Sequence, residues 1–232
     1  MKLAIMQPYF FPYLGYWQLI NAVDKFVLLD DVNFIMRGYI NRNSILLNGK
    51  SYLFSLPLEK PSQNKLINDS KLNFQHNDRE KLLKTIQLAY KKSPFFNCFY
   101  PILENVINND ETDLTQYIKY SILKIKEYLN IDTEILLSSE IKKDNLLRAQ
   151  KRIIEINKQL HSSVYINAIG GQELYNYEDF KKEGIELKFI KMKDIEYKQF
   201  DNVFIPNLSM IDVLMFNSKN QIQIMLNNYE LI

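Results

Sequence analysis

The sequence predicts an α/β fold in which a Rossmann-like parallel sheet carries a β-hairpin and a helical insertion. Three observations point there. Residues 1–31 run as apolar strand, loop, helix and apolar strand, a βαβ unit whose crossover makes its strands parallel neighbours. Asn48-Gly49 separates two apolar runs, a strong hairpin signal. Residues 78–129 then follow a helical period before strand patterns return at residues 164–166 and 187–190.

The opening strand covers residues 3–6 and runs into a loop holding six aromatic residues, Tyr9, Phe10, Phe11, Tyr13, Tyr16 and Trp17, between Gln7 and Gln18. Pro8 and Pro12 stiffen this loop, and Gly15 permits a close backbone approach. A helix to about Asp24 and a strand over residues 26–29 follow, ending at Asp30-Asp31. Ligands of open α/β sheets sit beyond the carboxyl ends of the strands, so the aromatic loop and the paired acids share one edge.

A polar and aromatic stretch from Asn33 to Asn43 leads into the hairpin, whose second strand empties into an exposed loop around Asn64 and Lys65. Leu82, Leu83 and Ile86 mark one helix, Ser93-Pro94 starts another, and Asp113 caps a third over residues 114–128. An amphipathic helix over residues 144–160 precedes the strand that ends before Gly170-Gly171, and Ser209 or Asn207 caps a closing helix. The chain divides into a βαβ unit with hairpin at 1–75, a helical insertion at 76–140, and an α/β half at 141–232 that completes the same domain.

Composition narrows the function. With 232 residues, 47% of them apolar, the chain can bury a large core, and a net charge of +2 supplies no field for a nucleic acid or a lipid surface. The single cysteine, Cys98, excludes a disulfide framework and fits a reducing cytoplasm; its aromatic neighbours predict a buried thiol. No apolar run reaches the roughly 20 residues of a membrane span, so a cytoplasmic protein without membrane insertion is expected. His76 and His161 have no metal-ligand spacing, and neither a metal nor a cofactor is expected.

Asp30 and Asp31 can bind a hydroxyl-rich or cationic group or a divalent cation, or act as a base if one is desolvated or pressed against the other; a cap or a salt bridge to Arg37 or Arg42 is the plainer role. Arg37, Asn41, Arg42 and Asn43 suit a phosphate or carboxylate, or else form a solvated loop. Gly170 and Gly171 either offer backbone N–H groups to a phosphate or make a turn. His76 starts a helix or serves as a reserve base, and Ser209 caps a helix or contacts substrate. Gln7, Tyr9, Tyr13, Gly15, Tyr16, Asn33, Asn64 and Lys65 complete the expected substrate contacts. Tyr13-Leu14-Gly15-Tyr16 resembles the H-x-G-H signature of nucleotidyltransferases with both histidines replaced, which implies a nucleotide-handling sheet of that type without its transfer chemistry.

Taken together, residues 6–16, Asp30-Asp31-Val32-Asn33-Phe34, residues 37–43, residues 165–172 and Leu208-Ser209-Met210-Ile211-Asp212 resemble the WbqC-like family across nearly the whole chain. The resemblance implies work on sugar nucleotides or their precursors in O-antigen and other surface polysaccharide synthesis. It gives no settled catalytic residue. The reading that joins residues and resemblance is a transferase acting on a nucleotide-linked amino sugar by acyl or aminoacyl transfer. Asp30 or Asp31 is its base, with the arginines on phosphate. The donor is open; aminoacyl-tRNA would need a basic face from Lys81, Lys84, Lys91 and Lys92. A non-catalytic binding or scaffolding protein of the same pathway is the alternative.

Overall fold

A computed structural model describes residues 1–201 and 203–232. Six strands form the main sheet: β1 (Lys2–Met6), β2 (Lys25–Leu28), β5 (Glu134–Leu137), β6 (Val164–Ala168), β7 (Glu186–Met192) and β8 (Tyr229–Leu231). Their order is β5-β2-β1-β6-β7-β8, all parallel except β8, which pairs antiparallel with β7. From β1 the chain steps outward to β2 and β5, then returns to the other side of β1 with β6. That order puts the topological switch point of a doubly wound sheet between β1 and β6.

Side-chain alternation builds two cores. On β1 and β2, Ala4, Phe26 and Leu28 face one cluster, while Leu3, Ile5 and Val27 face the other. The first cluster takes in α1 (Leu14–Asn21), α7 (Met210–Phe216) and α8 (Lys219–Leu226). It continues without a break into α2 (Asp78–Tyr90), α3 (Phe96–Ile107) and α4 (Leu114–Tyr128). The second core is smaller and lies under α5 (Ala149–Gln159) and α6 (Tyr177–Lys182). The helices of the insertion thus share the sheet's own core. β5, which falls within residues 76–140, pairs with β2 in the main sheet.

The hairpin forms at Asn48-Gly49, with both residues at positive φ, between β3 (Arg42–Leu47) and β4 (Lys50–Ser55). It is a separate two-stranded sheet. The helix expected from residue 144 begins at Ala149, because the carboxylate of Asp144 accepts from the N–H of Leu146 and closes a turn first. Cys98 is exposed rather than buried, since Phe99 takes the inward position of α3 and turns Cys98 to the outer face.

The aromatic loop is divided in two. Phe10, Phe11, Tyr16 and Trp17 are core residues, with the Phe10 ring 4.5 Å from Phe11 and 5.7 Å from Tyr117. The Asn43 side chain ties the loop to the hairpin by donating to the carbonyls of Phe10 (3.1 Å) and Phe11 (2.8 Å). Gly15 is required for a local reason: a Cβ there would lie 2.5 Å from the ring of Tyr13, which folds over it.

One polar network holds the closing helix. The fully buried carboxylate of Asp212 accepts from the hydroxyls of Tyr90 and Tyr197 and from the amide of Gln199, each at 2.7 Å. Tyr90 also accepts from the N–H of Leu46 on β3. Four segments distant in sequence therefore meet at one carboxylate, and burial raises its pKa above the usual aspartate value despite those donors. Asp212→Ala strands three buried donors and is expected to lower the unfolding free energy by about 3 kcal/mol in urea titration; an unchanged midpoint would show that the network adds nothing.

Candidate functional site

Asp30 and Asp31 leave β2 at the rim of the sheet, and because successive residues of an extended segment face opposite ways they find different partners. Asp30 is 1% exposed. Its Oδ1 accepts from the backbone N–H of Ser139 at 2.9 Å and its Oδ2 from the Ser139 hydroxyl at 2.6 Å. Burial raises its pKa, against the lowering effect of those two bonds. Asp31 lies between cations. Its Oδ2 is 2.7 Å from Lys143 Nζ and its Oδ1 3.5 Å from Arg152 Nη1. Burial pushes this carboxyl up, but the hydrogen bonds of Lys143 and Ser138 and the charges of Lys143 and Arg152 outweigh it and hold the pKa below the usual value. The pair does not share a proton.

Residues 138–152 supply the other wall. After β5 the chain makes a short 3-10 turn at Ser138–Glu140, and the Asp144 turn leaves the carbonyls of Asn145 and Leu147 pointing at the arginines. Arg152 donates through Nε to the Leu147 carbonyl (3.0 Å), through Nη2 to Asn145 (3.1 Å) and through Nη1 to the Asp31 carbonyl (2.8 Å). Arg148 donates to the carbonyls of Asn145 and Leu147. Asp31, Val32, Asn33, Leu66, Asn68, Ser139, Asn145, Arg148 and Arg152 enclose a cavity of about 570 Å³. Two of the lining residues, Arg148 and Arg152, are cations and one, Asp31, is a carboxylate, so the cavity favours an anion. Asn68, whose buried Oδ1 has no hydrogen-bond partner among the described residues, also lines it.

A second cavity, of about 340 Å³, is lined by Tyr9, Pro12, Tyr13, Tyr39, Asn43 and Asn207. Burial raises the pKa of both Tyr9 and Tyr13, so their hydroxyls stay neutral donors. The two cavities share no lining residue, and residues 32–39 run from one to the other.

The expected substrate contacts therefore separate. Asn33 lines the acid cavity, its amide donating to the Gln63 carbonyl at 3.0 Å, and Asn64 and Lys65 lie in the loop beside it. Tyr9, Tyr13 and Asn43 line the tyrosine pocket. Several others are engaged by partners within the protein. Tyr16 is 1% exposed and donates to the Gln7 carbonyl. Asn41 donates to Leu56, and Arg42 to the carbonyls of Gly38 and Arg37. Ser209 is fully buried, with its hydroxyl capping α7 through the N–H of Ile211.

Gln7, Gly15, Arg37, His76, Gly170 and Gly171 line neither cavity. Arg37 and His76 are exposed, and Gly170 faces open space. A Cβ at Gly171 would lie 2.6 Å from the Asn167 side chain, so that glycine serves a turn.

Sequence reasoning missed Ser139, Lys143, Arg148 and Arg152. One signal was present: Arg152 falls on the buried stripe of α5 with Ile153 and Ile156, and a charge on an apolar face needs a partner. Among the described residues no helix is long and apolar enough to cross a membrane, and no group of three or more His, Cys, Asp or Glu is placed to hold a metal ion.

Comparison with known proteins gives a match to the WbqC-like protein family over residues 7–224. The chain is also similar to the uncharacterized protein Rv1507c of Mycobacterium tuberculosis, 22% identical over 225 residues and covering 92% of each chain. No solved structure matches it.

The ion cluster generates a stability prediction. Asp31→Ala leaves Lys143, whose side chain is 1% exposed, without its counter-ion. The loss expected at pH 7 is about 3 kcal/mol by chemical denaturation. A depressed native pKa contributes stability above the ordinary 3.8, so the deficit should fade as pH falls below that value. A deficit that grows on acidification would contradict the assignment.

Proposed function

The chain belongs to the WbqC-like protein family, and from the cavity at the end of β2 we propose that it is a cytoplasmic transferase acting on a nucleotide-linked amino sugar by acyl or aminoacyl transfer in surface polysaccharide synthesis. The observation that carries this reading is the composition of that cavity: an ionised Asp31, the guanidinium groups of Arg148 and Arg152, and the amides of Asn33, Asn68 and Asn145 around one space. Arginine forks suit the diphosphate, the amides suit sugar hydroxyls, and the tyrosine pocket suits a planar ring or the apolar face of a sugar.

The phosphate role first expected of Arg37 and Arg42 passes to Arg148 and Arg152. Arg37 and Arg42 line neither cavity, whereas Arg148 and Arg152 line the one at the end of β2 while also donating to backbone carbonyls there. The base role falls to Asp30, because Asp31 is held ionised by Lys143 and Arg152 and is a poor proton acceptor. Asp31 instead orients the cations. For an aminoacyl-tRNA donor, Lys81, Lys84, Lys91 and Lys92 are all exposed, although Lys84 is paired with Glu80. One observation favours the rival reading of a non-catalytic binding protein: neither carboxylate is both exposed and free of a partner.

Incubation with UDP-, dTDP- and GDP-linked amino sugars and a panel of acyl donors, followed by mass spectrometry, is expected to show a sugar that has gained the acyl mass. Tight binding with no mass change under every donor would establish the binding protein instead, and activity surviving RNase would remove the tRNA donor. Arg148→Ala is expected to weaken nucleotide-sugar binding about tenfold or more by calorimetry, the loss of one charged hydrogen-bonding group; unaltered affinity would take the diphosphate away from this cavity.

A further inference from the structure

We propose that Ser139 is the acyl-accepting nucleophile of this site and Asp30 its base, so that transfer passes through an ester on Ser139. The inference rests on the acyl-transfer reading above and specifies its chemistry. Ser139 is the one residue that is exposed, lines the Asp31 cavity and carries a hydroxyl. That hydroxyl is directed at Oδ2 of Asp30 at 2.6 Å, the short distance of a bond to an ionised acceptor. Asp30 is buried, and among the described residues it has no cationic partner.

The contrast with its neighbour is informative. Asp31 has two cations, Lys143 at 2.7 Å and Arg152 at 3.5 Å, an arrangement that favours its charged form. Asp30 instead accepts from the N–H and O–H of one serine, and no cation is paired with it among the described residues. An anchor needs the N–H alone. The hydroxyl bond adds what a nucleophile requires, a positioned acceptor for its proton in a place shielded from water. Asn68 and Arg148 border the same cavity and carry N–H groups able to hold a carbonyl oxygen as it becomes negative.

The steps balance with a thioester or oxygen-ester donor. In the first, Ser139 Oγ bonds to the acyl carbon, the bond from that carbon to the donor's sulfur or oxygen breaks, and the serine proton moves to Asp30 and then to the departing group. In the second, the sugar amine bonds to the acyl carbon, the Ser139 ester bond breaks, and the amine's proton passes through Asp30 back to Ser139 Oγ.

A fluorophosphonate probe tests this without the natural donor. Peptide mass spectrometry is expected to place the phosphonyl group on Ser139 in the unmodified protein and to find none in Ser139→Ala, which keeps the backbone bond to Asp30. Asp30→Asn, checked for folding by thermal melting, is expected to label about 100-fold more slowly. Absence of label on Ser139 in the unmodified protein, or equal rates with and without the Asp30 carboxylate, would overturn the proposal. The sugar assay separates the two levels: acylation at full rate by Ser139→Ala would remove the nucleophile and leave transfer intact. Labelled Ser139 with no sugar acylated by any donor would support the dyad and remove the sugar as its acceptor.

Discussion

The two carboxylates at the end of β2 hold the site together, and they do so by pulling on different parts of one distant segment. Asp30 takes Ser139 and Asp31 takes Lys143 and Arg152, so residues 138–152 are fastened over the rim from both ends. The fastening joins the end of β2, an inner strand of the sheet, to the segment that leads into α5, whose apolar side packs in the smaller core. Without it the wall formed by Asn145, Arg148 and Arg152 has no fixed relation to Asn33 and Asn68, and the cavity between them has no defined shape. The arrangement also gives the pair different surroundings: Asp31 is balanced by cations, and Asp30 is buried against the N–H and hydroxyl of Ser139.

Around this fastening the fold is ordinary α/β physics. Alternation on β1 and β2 sends Ala4, Phe26 and Leu28 to one core and Leu3, Ile5 and Val27 to the other, which requires helices on both faces. The aromatic loop solves a packing problem at the switch in the chain's direction. Phe10 and Phe11 go inward, tied by Asn43, and only Tyr9 and Tyr13 remain to meet Tyr39 outside. A motif dense in aromatic residues is thus largely core, with Tyr9 and Tyr13 left to line a pocket.

The βαβ unit, the hairpin at Asn48-Gly49 and the helices capped by Asp113 and Ser209 were legible in sequence because each rests on local chemistry: a period, a turn dipeptide, a cap. The edge strands β5 and β8 were not, being four and three residues long with no alternation to mark them. The same division runs through the site. Asp30, Asp31 and Asn33 stood out on the rim of a predicted strand, whereas the partners of the two acids lie more than a hundred residues away, and only the fold brings Ser139, Lys143 and Arg152 to them. Asn41, Arg42 and Asn43 show a related effect. Amides and guanidinium groups that suit a phosphate suit backbone carbonyls equally well, and the carbonyls of Leu56, Gly38 and Phe11 reached them first.

The most direct test of the central claim, that the space between the acids and the arginines receives the anionic part of a nucleotide-linked sugar, is a crystal structure with a UDP-linked amino sugar bound. The account predicts diphosphate density against Arg148 and Arg152 with Asp31 still paired to Lys143. Diphosphate found at Arg37, at Gly170-Gly171, or only in the tyrosine pocket would contradict it.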